Sequence, residues 1–255
     1  MGALSTLPYF DMIVTILLGA VLGSFATAIA HRSATEESWG KQIGLSARSR
    51  CLKCTAPLGA IDLIPVLSWL FLRGKCRVCE AQISAAYLMI ELAAIALCLG
   101  VFVVHGLSVS SVMVMLAVPF LLALLIVDLR HMILPDILVI CFAALGVVYS
   151  AVIGDAMAMI LALGSGALYG VVLWGFGWIT AKLLRKESLG FGDVKYFAAS
   201  GIWLGLSPLG TYMILAGVLG VLFAVAWRVI KKSEYFPFGP ALICATYILL
   251  SLIHI

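Results

Sequence analysis

Three short stretches of the chain combine residue types and spacings that could do chemistry. IVDLRHMILPD ends one apolar run with Asp128 and opens the next with Asp136. GFGDVK sets Asp193 behind Gly190 and Gly192, with Lys195 two residues on. CLKC and CRVC place Cys51, Cys54, Cys76 and Cys79 in the spacing C-x2-C-x21-C-x2-C.

The first two stretches suggest acid–base chemistry. Two carboxylates close enough that only one ionises can hydrolyse an amide with neither metal nor covalent intermediate. The ionised one takes a proton from the attacking water, and the protonated one polarises the carbonyl and helps the amine leave. Asp128 lies near the C-terminal end of an apolar helix, where the helix dipole disfavours negative charge. That suits the acid, and Asp193 at a helix N-end suits the base. Gly190 and Gly192 let the backbone take positive φ and let a peptide come close. The structural alternatives are an ion pair of Asp128 with Arg130 or Lys195, and an N-cap role for Asp193. Asp136, next to Pro135, reads as an ordinary helix start.

The third stretch suggests a metal. Two C-x2-C knuckles can supply a tetrahedron of thiolates, which suits Zn2+. Arg50, Lys53, Lys75 and Arg77 would offset the negative charge of four thiolates around one divalent cation. Two disulfides, or no metal, are the alternatives. A four-cysteine site leaves no open position, so zinc here would be structural. Cys98, Cys141 and Cys244 lie in apolar runs and read as small core residues. Trp39, Ile61, Leu63, Ile64, Val66, Leu67 and Trp69 could pack the loop around the metal or onto the membrane surface.

The elements that must position these residues are membrane helices. The 255 residues are 64% hydrophobic and 11% charged, with a mean hydropathy of +1.18. A soluble domain carries about 25% charged residues. Apolar runs at 9–30, 85–104, 110–129, 136–153, 156–183, 195–206, 208–230 and 238–254 predict about eight spans, an all-α polytopic bundle. No Lys or Arg precedes the first run, so it reads as a span rather than a signal peptide. MGALST matches a myristoylation pattern by chance. The expected organisation is a first transmembrane helix over 1–30, a cytoplasmic zinc loop over 31–84 and a transmembrane core over 85–255.

All 16 Lys and Arg residues fall in alternate connections. The loop 31–84 holds half of them, Lys41 and Arg48 among them. The others come after the third, fifth and seventh runs, from Arg130 through Lys186 to Lys232. The positive-inside bias puts these connections in the cytoplasm and both termini outside. The net charge of +4 therefore reports topology, and no nucleic-acid partner is expected. Asp193 and Asp128 then share the cytoplasmic edge of the membrane. His31 and Arg32 read as an interfacial anchor, His131 as an exposed loop residue, Arg185, Lys186 and Glu187 as solvated charges, and His254 has no assigned role.

Together, IVDLRHMILPD and GFGDVK resemble the GxGD membrane aspartyl peptidases, and specifically the bacterial type IV prepilin peptidases. GSFATAIAHR, the cysteine loop, IDLIPVLSWLFLRGKC, ISAAYLMIEL and FPFGPAL extend the resemblance, in order, over most of the chain. It implies Asp128 and Asp193 as the catalytic pair, with Asp136 outside the catalysis. It also implies an inner-membrane endopeptidase that removes a basic leader from prepilins and pseudopilins at the cytoplasmic face. The cysteine loop implies a second activity, methylation of the new N-terminus with S-adenosylmethionine. Thr27 stands where the family commonly has Asn. Glu91 is an intramembrane carboxylate and a candidate for the methyl-transfer site, orienting the amine or pairing with a cation. The residues alone also admit a proton-coupled transporter, or a non-enzymatic zinc-loop scaffold for pilus assembly.

Overall fold

The structure is a computed structural model that describes residues 8–33, 49–51, 53–185, 189–232 and 236–253. Trp39, Lys41, Arg48, Lys186, Glu187 and His254 lie outside the described residues. Nine α-helices run through the described residues: α1 Pro8–Ser33, α2 Leu67–Phe71, α3 Ala85–His105, α4 Val109–His131, α5 Asp136–Ile153, α6 Ala156–Leu184, α7 Phe191–Leu204, α8 Leu209–Lys231 and α9 Gly239–Ile253. A 3-10 turn spans Ala60–Leu63, and β-pairing among the described residues is limited to two isolated bridges in the cysteine loop.

All eight apolar runs are helical, and six of these helices are long and apolar enough to cross a membrane. The other two are shorter, 14 residues in α7 and 15 in α9. At 1.5 Å per residue they reach about 21–23 Å, short of a hydrocarbon core of about 30 Å. The helix α7 also begins four residues before the apolar run, at Phe191, so Asp193 lies within its first turn.

Local chemistry sets the boundaries. The Ser84 hydroxyl accepts the Ala86 N–H at the start of α3, and the Asp155 carboxylate accepts the Ala158 N–H at the start of α6. Met132, Arg185 and Lys232 take left-handed conformations that stop α4, α6 and α8. Pro135 and Pro208 precede α5 and α8.

The chain forms two compact units, Met1–Leu107 and Ser108–Ile255. In the first, α1 packs along α3. Gly19 and Gly23 bring the two backbones together: a Cβ at 19 would lie 2.8 Å from the Ile95 Cα, and one at 23 would lie 2.7 Å from the Glu91 Cα. This is the small-residue approach that membrane helices use in place of hydrophobic collapse.

In the second unit, α7 packs against α5, α6 and α9. Phe142 stacks on Tyr196 and on Trp203, with ring centroids 5.8 and 5.5 Å apart. The Trp203 Nε1–H donates to the Phe142 carbonyl at 2.9 Å. Next to these rings lies a buried hydroxyl cluster. Thr246 Oγ1 lies 3.0 Å from the Tyr196 hydroxyl, 2.9 Å from that of Tyr212 and 3.1 Å from that of Ser200. With no water in a bilayer core, such groups must satisfy one another, and doing so locks α7, α8 and α9 together. This packing fixes the helix that carries Asp193.

Candidate active site

Asp128 occupies the last turn of α4, and the Met132 N–H closes that turn on its carbonyl at 2.9 Å. The side chain is 4% exposed, and its Oδ2 has no hydrogen bond from a protein group. Gly239, at the start of α9, abuts it: a Cβ there would lie 2.5 Å from Oδ2 and 2.9 Å from Cγ. Glycine is therefore the residue that fits beside this carboxylate. The sequence signal for it was FPFGPAL, a stretch to which sequence reasoning attached no role.

Asp193 sits in the first turn of α7, half-buried, where the dipole of the helix favours a carboxylate. The N-cap of this helix is Gly190, not Asp193. Neither glycine of the motif has positive φ: Gly190 is extended at φ −71°, and Gly192 lies within the helix. Their use here is close approach. A Cβ at 192 would stand 3.4 Å from the Leu134 Cβ, and one at 190 would stand 3.2 Å from the Asp193 Oδ2. At 192 the missing side chain lets Leu134, in the connection between α4 and α5, lie against the start of α7, and at 190 it leaves space for the Asp193 carboxylate.

Asp128 and Asp193 line one cleft of about 680 Å³. Its walls mix apolar side chains, among them Leu134, Phe176, Phe191 and Phe238, with Asp136 and Lys195. Lys195 pairs with Asp136, Nζ lying 2.8 Å from both carboxylate oxygens. The sequence alternative that paired Lys195 with Asp128 therefore does not apply, and Arg130 is exposed. Asp136 combines two roles, opening α5 and holding Lys195. The arrangement places two carboxylates, one of them deeply buried, in the wall of one cleft, the pairing that amide hydrolysis by two acids uses.

The first unit carries the cysteines. The ligand atoms of Cys51, Cys54, Cys76 and Cys79 all lie within 4.8 Å of one another, and the Cys51 and Cys79 sulfurs are 3.9 Å apart. Four sulfurs at about 2.3 Å from one Zn2+ would be spaced by about 3.8 Å, so the cluster fits a tetrahedral metal ion. All seven cysteines are free thiols. The two knuckles share one backbone design. The Cys51 N–H donates to the Ala56 carbonyl, and the Cys76 N–H donates to the Ala81 carbonyl, both at 2.9 Å. The residue after each second cysteine, Thr55 or Glu80, is left-handed at φ 56° or 53°. Backbone N–H groups of Cys54 and Lys53 pull the Cys51 thiol down to about 6, toward the thiolate a metal needs.

The Glu91 Oε2 accepts the backbone N–H of Val66 at 2.6 Å.

Known proteins match this arrangement along its length. Residues 17–105 match the Bacterial Peptidase A24 N-terminal domain, and residues 115–225 match the Type IV leader peptidase family. The prepilin leader peptidase/N-methyltransferase of Aeromonas salmonicida (strain A449) is 31% identical over 96% of this chain and 91% of its own length. The protein of that name from Pseudomonas aeruginosa is 30% identical over 97% of this chain and 92% of its own. The Type 4 prepilin-like proteins leader peptide-processing enzyme of Escherichia coli O78:H11 is 36% identical over 76% and 72%. No solved structure matches. Six apolar helices of spanning length make the chain a multi-pass membrane protein. With relatives aligned through the cysteine loop and both aspartate stretches alike, the chain belongs to the type IV leader peptidase family.

Proposed function

We propose that this chain is an inner-membrane aspartyl endopeptidase that removes the basic leader from prepilins and pseudopilins and methylates the new N-terminus. One observation carries the peptidase reading: Asp128 and Asp193, far apart in sequence, line the same cleft. Asp193, in the first helical turn, holds the charge and takes the proton of the attacking water. Asp128, buried at a helix C-end, gives its proton to the carbonyl oxygen; Asp193 then passes the proton taken from water to the leaving amine, and Asp128 regains its own as the tetrahedral intermediate collapses. The cleft's apolar walls shelter the scissile peptide from bulk water. Lys195, in the same cleft, is paired with Asp136.

The charge distribution supports a cytoplasmic cleft and periplasmic termini. A basic leader stays inside by the same rule that orients the enzyme. Its apolar helix then brings the junction to the depth of the dyad. Zn2+ is the metal that four thiolates in this spacing suit best. Held by Cys51, Cys54, Cys76 and Cys79, it would brace the loop as a closed structural site. S-adenosylmethionine, when bound, would supply the methyl group for the new amine. The transporter and scaffold readings have no support from the relatives.

The test is one mass-spectrometric assay of purified protein with a prepilin and S-adenosylmethionine. Wild type is expected to remove the leader and add one methyl mass, while Asp128→Asn and Asp193→Asn leave the substrate whole. Cleavage by either variant would end the dyad assignment.

A further inference from the structure

The segment before the second cysteine knuckle carries apolar side chains that the protein does not cover. Ile61, Leu63, Ile64, Leu67, Leu70 and Phe71 are all exposed, Phe71 at 82% and Ile61 at 65%. An apolar cluster of this kind on a loop marks a surface that meets something other than water.

Glu91 sets the depth of this segment. The helix α3 has 21 residues, a length that matches a hydrocarbon core of about 30 Å. Glu91 is its seventh residue, about 9 Å along the axis from Ala85. Side chains on a helix lean toward its N-terminus, which brings the carboxylate back only part of that way. The Val66 N–H, 2.6 Å from Glu91 Oε2, is therefore held below the level at which α3 enters the membrane. Val66 takes φ 62° and ψ −54°, an uncommon conformation for a β-branched residue. It is sustained because the residues on either side are anchored as well. Asp62 pairs with Arg77 at 2.9 Å, and the Trp69 Nε1–H donates to the Ile83 carbonyl at 3.3 Å.

Charge continues the pattern. Arg73 and Lys75 come shortly after Phe71 in the chain, and Lys75 is exposed. An exposed apolar segment at acyl depth, followed in the chain by exposed cations, has the composition that binds an anionic lipid surface. A second copy of this chain would complement the apolar residues but has no use for the cations.

We propose that residues 61–71 form an interfacial segment seated among lipid acyl chains, pinned by Glu91, with Arg73 and Lys75 on anionic headgroups. The assignment rests on the membrane reading of α1 and α3, not on the peptidase chemistry.

The test uses the full chain in nanodiscs of phosphatidylcholine and phosphatidylglycerol, with a photoactivatable group placed high on the acyl chain. Irradiated adducts mapped by mass spectrometry are expected on Leu67–Phe71 as well as on α1 and α3. The triple variant Leu67→Gln, Leu70→Gln, Phe71→Gln is expected to lose the loop adducts and keep those on the helices. Glu91→Ala is expected to lose them too, while Glu91→Gln, whose amide oxygen still accepts the Val66 N–H, keeps them. A headgroup probe on phosphatidylglycerol is expected to label Arg73 and Lys75. Acyl adducts confined to the helices, or cross-links between protein copies at 61–71, would overturn the proposal. Loop adducts unchanged in Glu91→Ala would overturn the pin, and absence of headgroup adducts would overturn the anionic contact.

Discussion

At the scale of single residues, the site depends on what surrounds each carboxylate. Asparagine at 128 or 193 keeps the shape but can neither donate nor take the catalytic proton, so a loss of at least about 10²–10⁴-fold in cleavage rate is expected. Intact protein in the membrane fraction would show that the loss is chemical. Gly239 gives a subtler prediction. A methyl at 239 would lie 2.5 Å from the Asp128 Oδ2, so Gly239→Ala must push the carboxylate aside. A displacement near 1 Å can cost about 10²-fold in rate, to be read as a fall in kcat with little change in KM. The pair formed by Lys195 and Asp136 makes a third case. Asp136→Asn leaves Lys195 without its partner two residues from Asp193, free to turn toward the dyad. The single variant is therefore expected to cleave more slowly than the double variant Asp136→Asn, Lys195→Met, in which position 195 carries no cation.

At the scale of elements, each knuckle of the cysteine loop is a tight turn closed by a backbone hydrogen bond, and neither turn alone has a core. A bound metal would join them. Chelation, or Cys51→Ser with Cys79→Ser, is expected to abolish metal content and make residues 49–83 sensitive to protease. The aspartates belong to the other compact unit, so leader cleavage is expected to survive metal removal better than methyl transfer. Acid opposes the metal in a defined direction. Each ligand must be a thiolate to bind, so protons compete with the metal for the four sulfurs. Metal content measured by mass spectrometry is expected to fall as the pH is lowered.

At the scale of the whole molecule, the second unit owes its register to a hydroxyl cluster in a setting without water. Thr246 meets three hydroxyls, on α7 and α8. Interhelical hydrogen bonds in membranes average about 0.6 kcal/mol each and reach about 1.7. Thr246→Val is expected to destabilise the fold by about 1–2 kcal/mol. A lower midpoint of unfolding in mixed detergent, with cleavage retained at low temperature, would measure it.

The amino-acid order alone determined the membrane class, the helical runs, the two aspartate stretches and the metal spacing. These are local properties: hydropathy, charge alternation and C-x2-C repeats are written in consecutive residues. The helix α7 starts four residues before its apolar run because 191–194 is less apolar than the rest of the helix. The partner of Lys195, the place of Gly239 against Asp128 and the hold of Glu91 on Val66 join residues tens of positions apart. Only the tertiary structure decided them, because a contact between distant segments depends on which helices pack and at what register, and no periodicity within one segment encodes that.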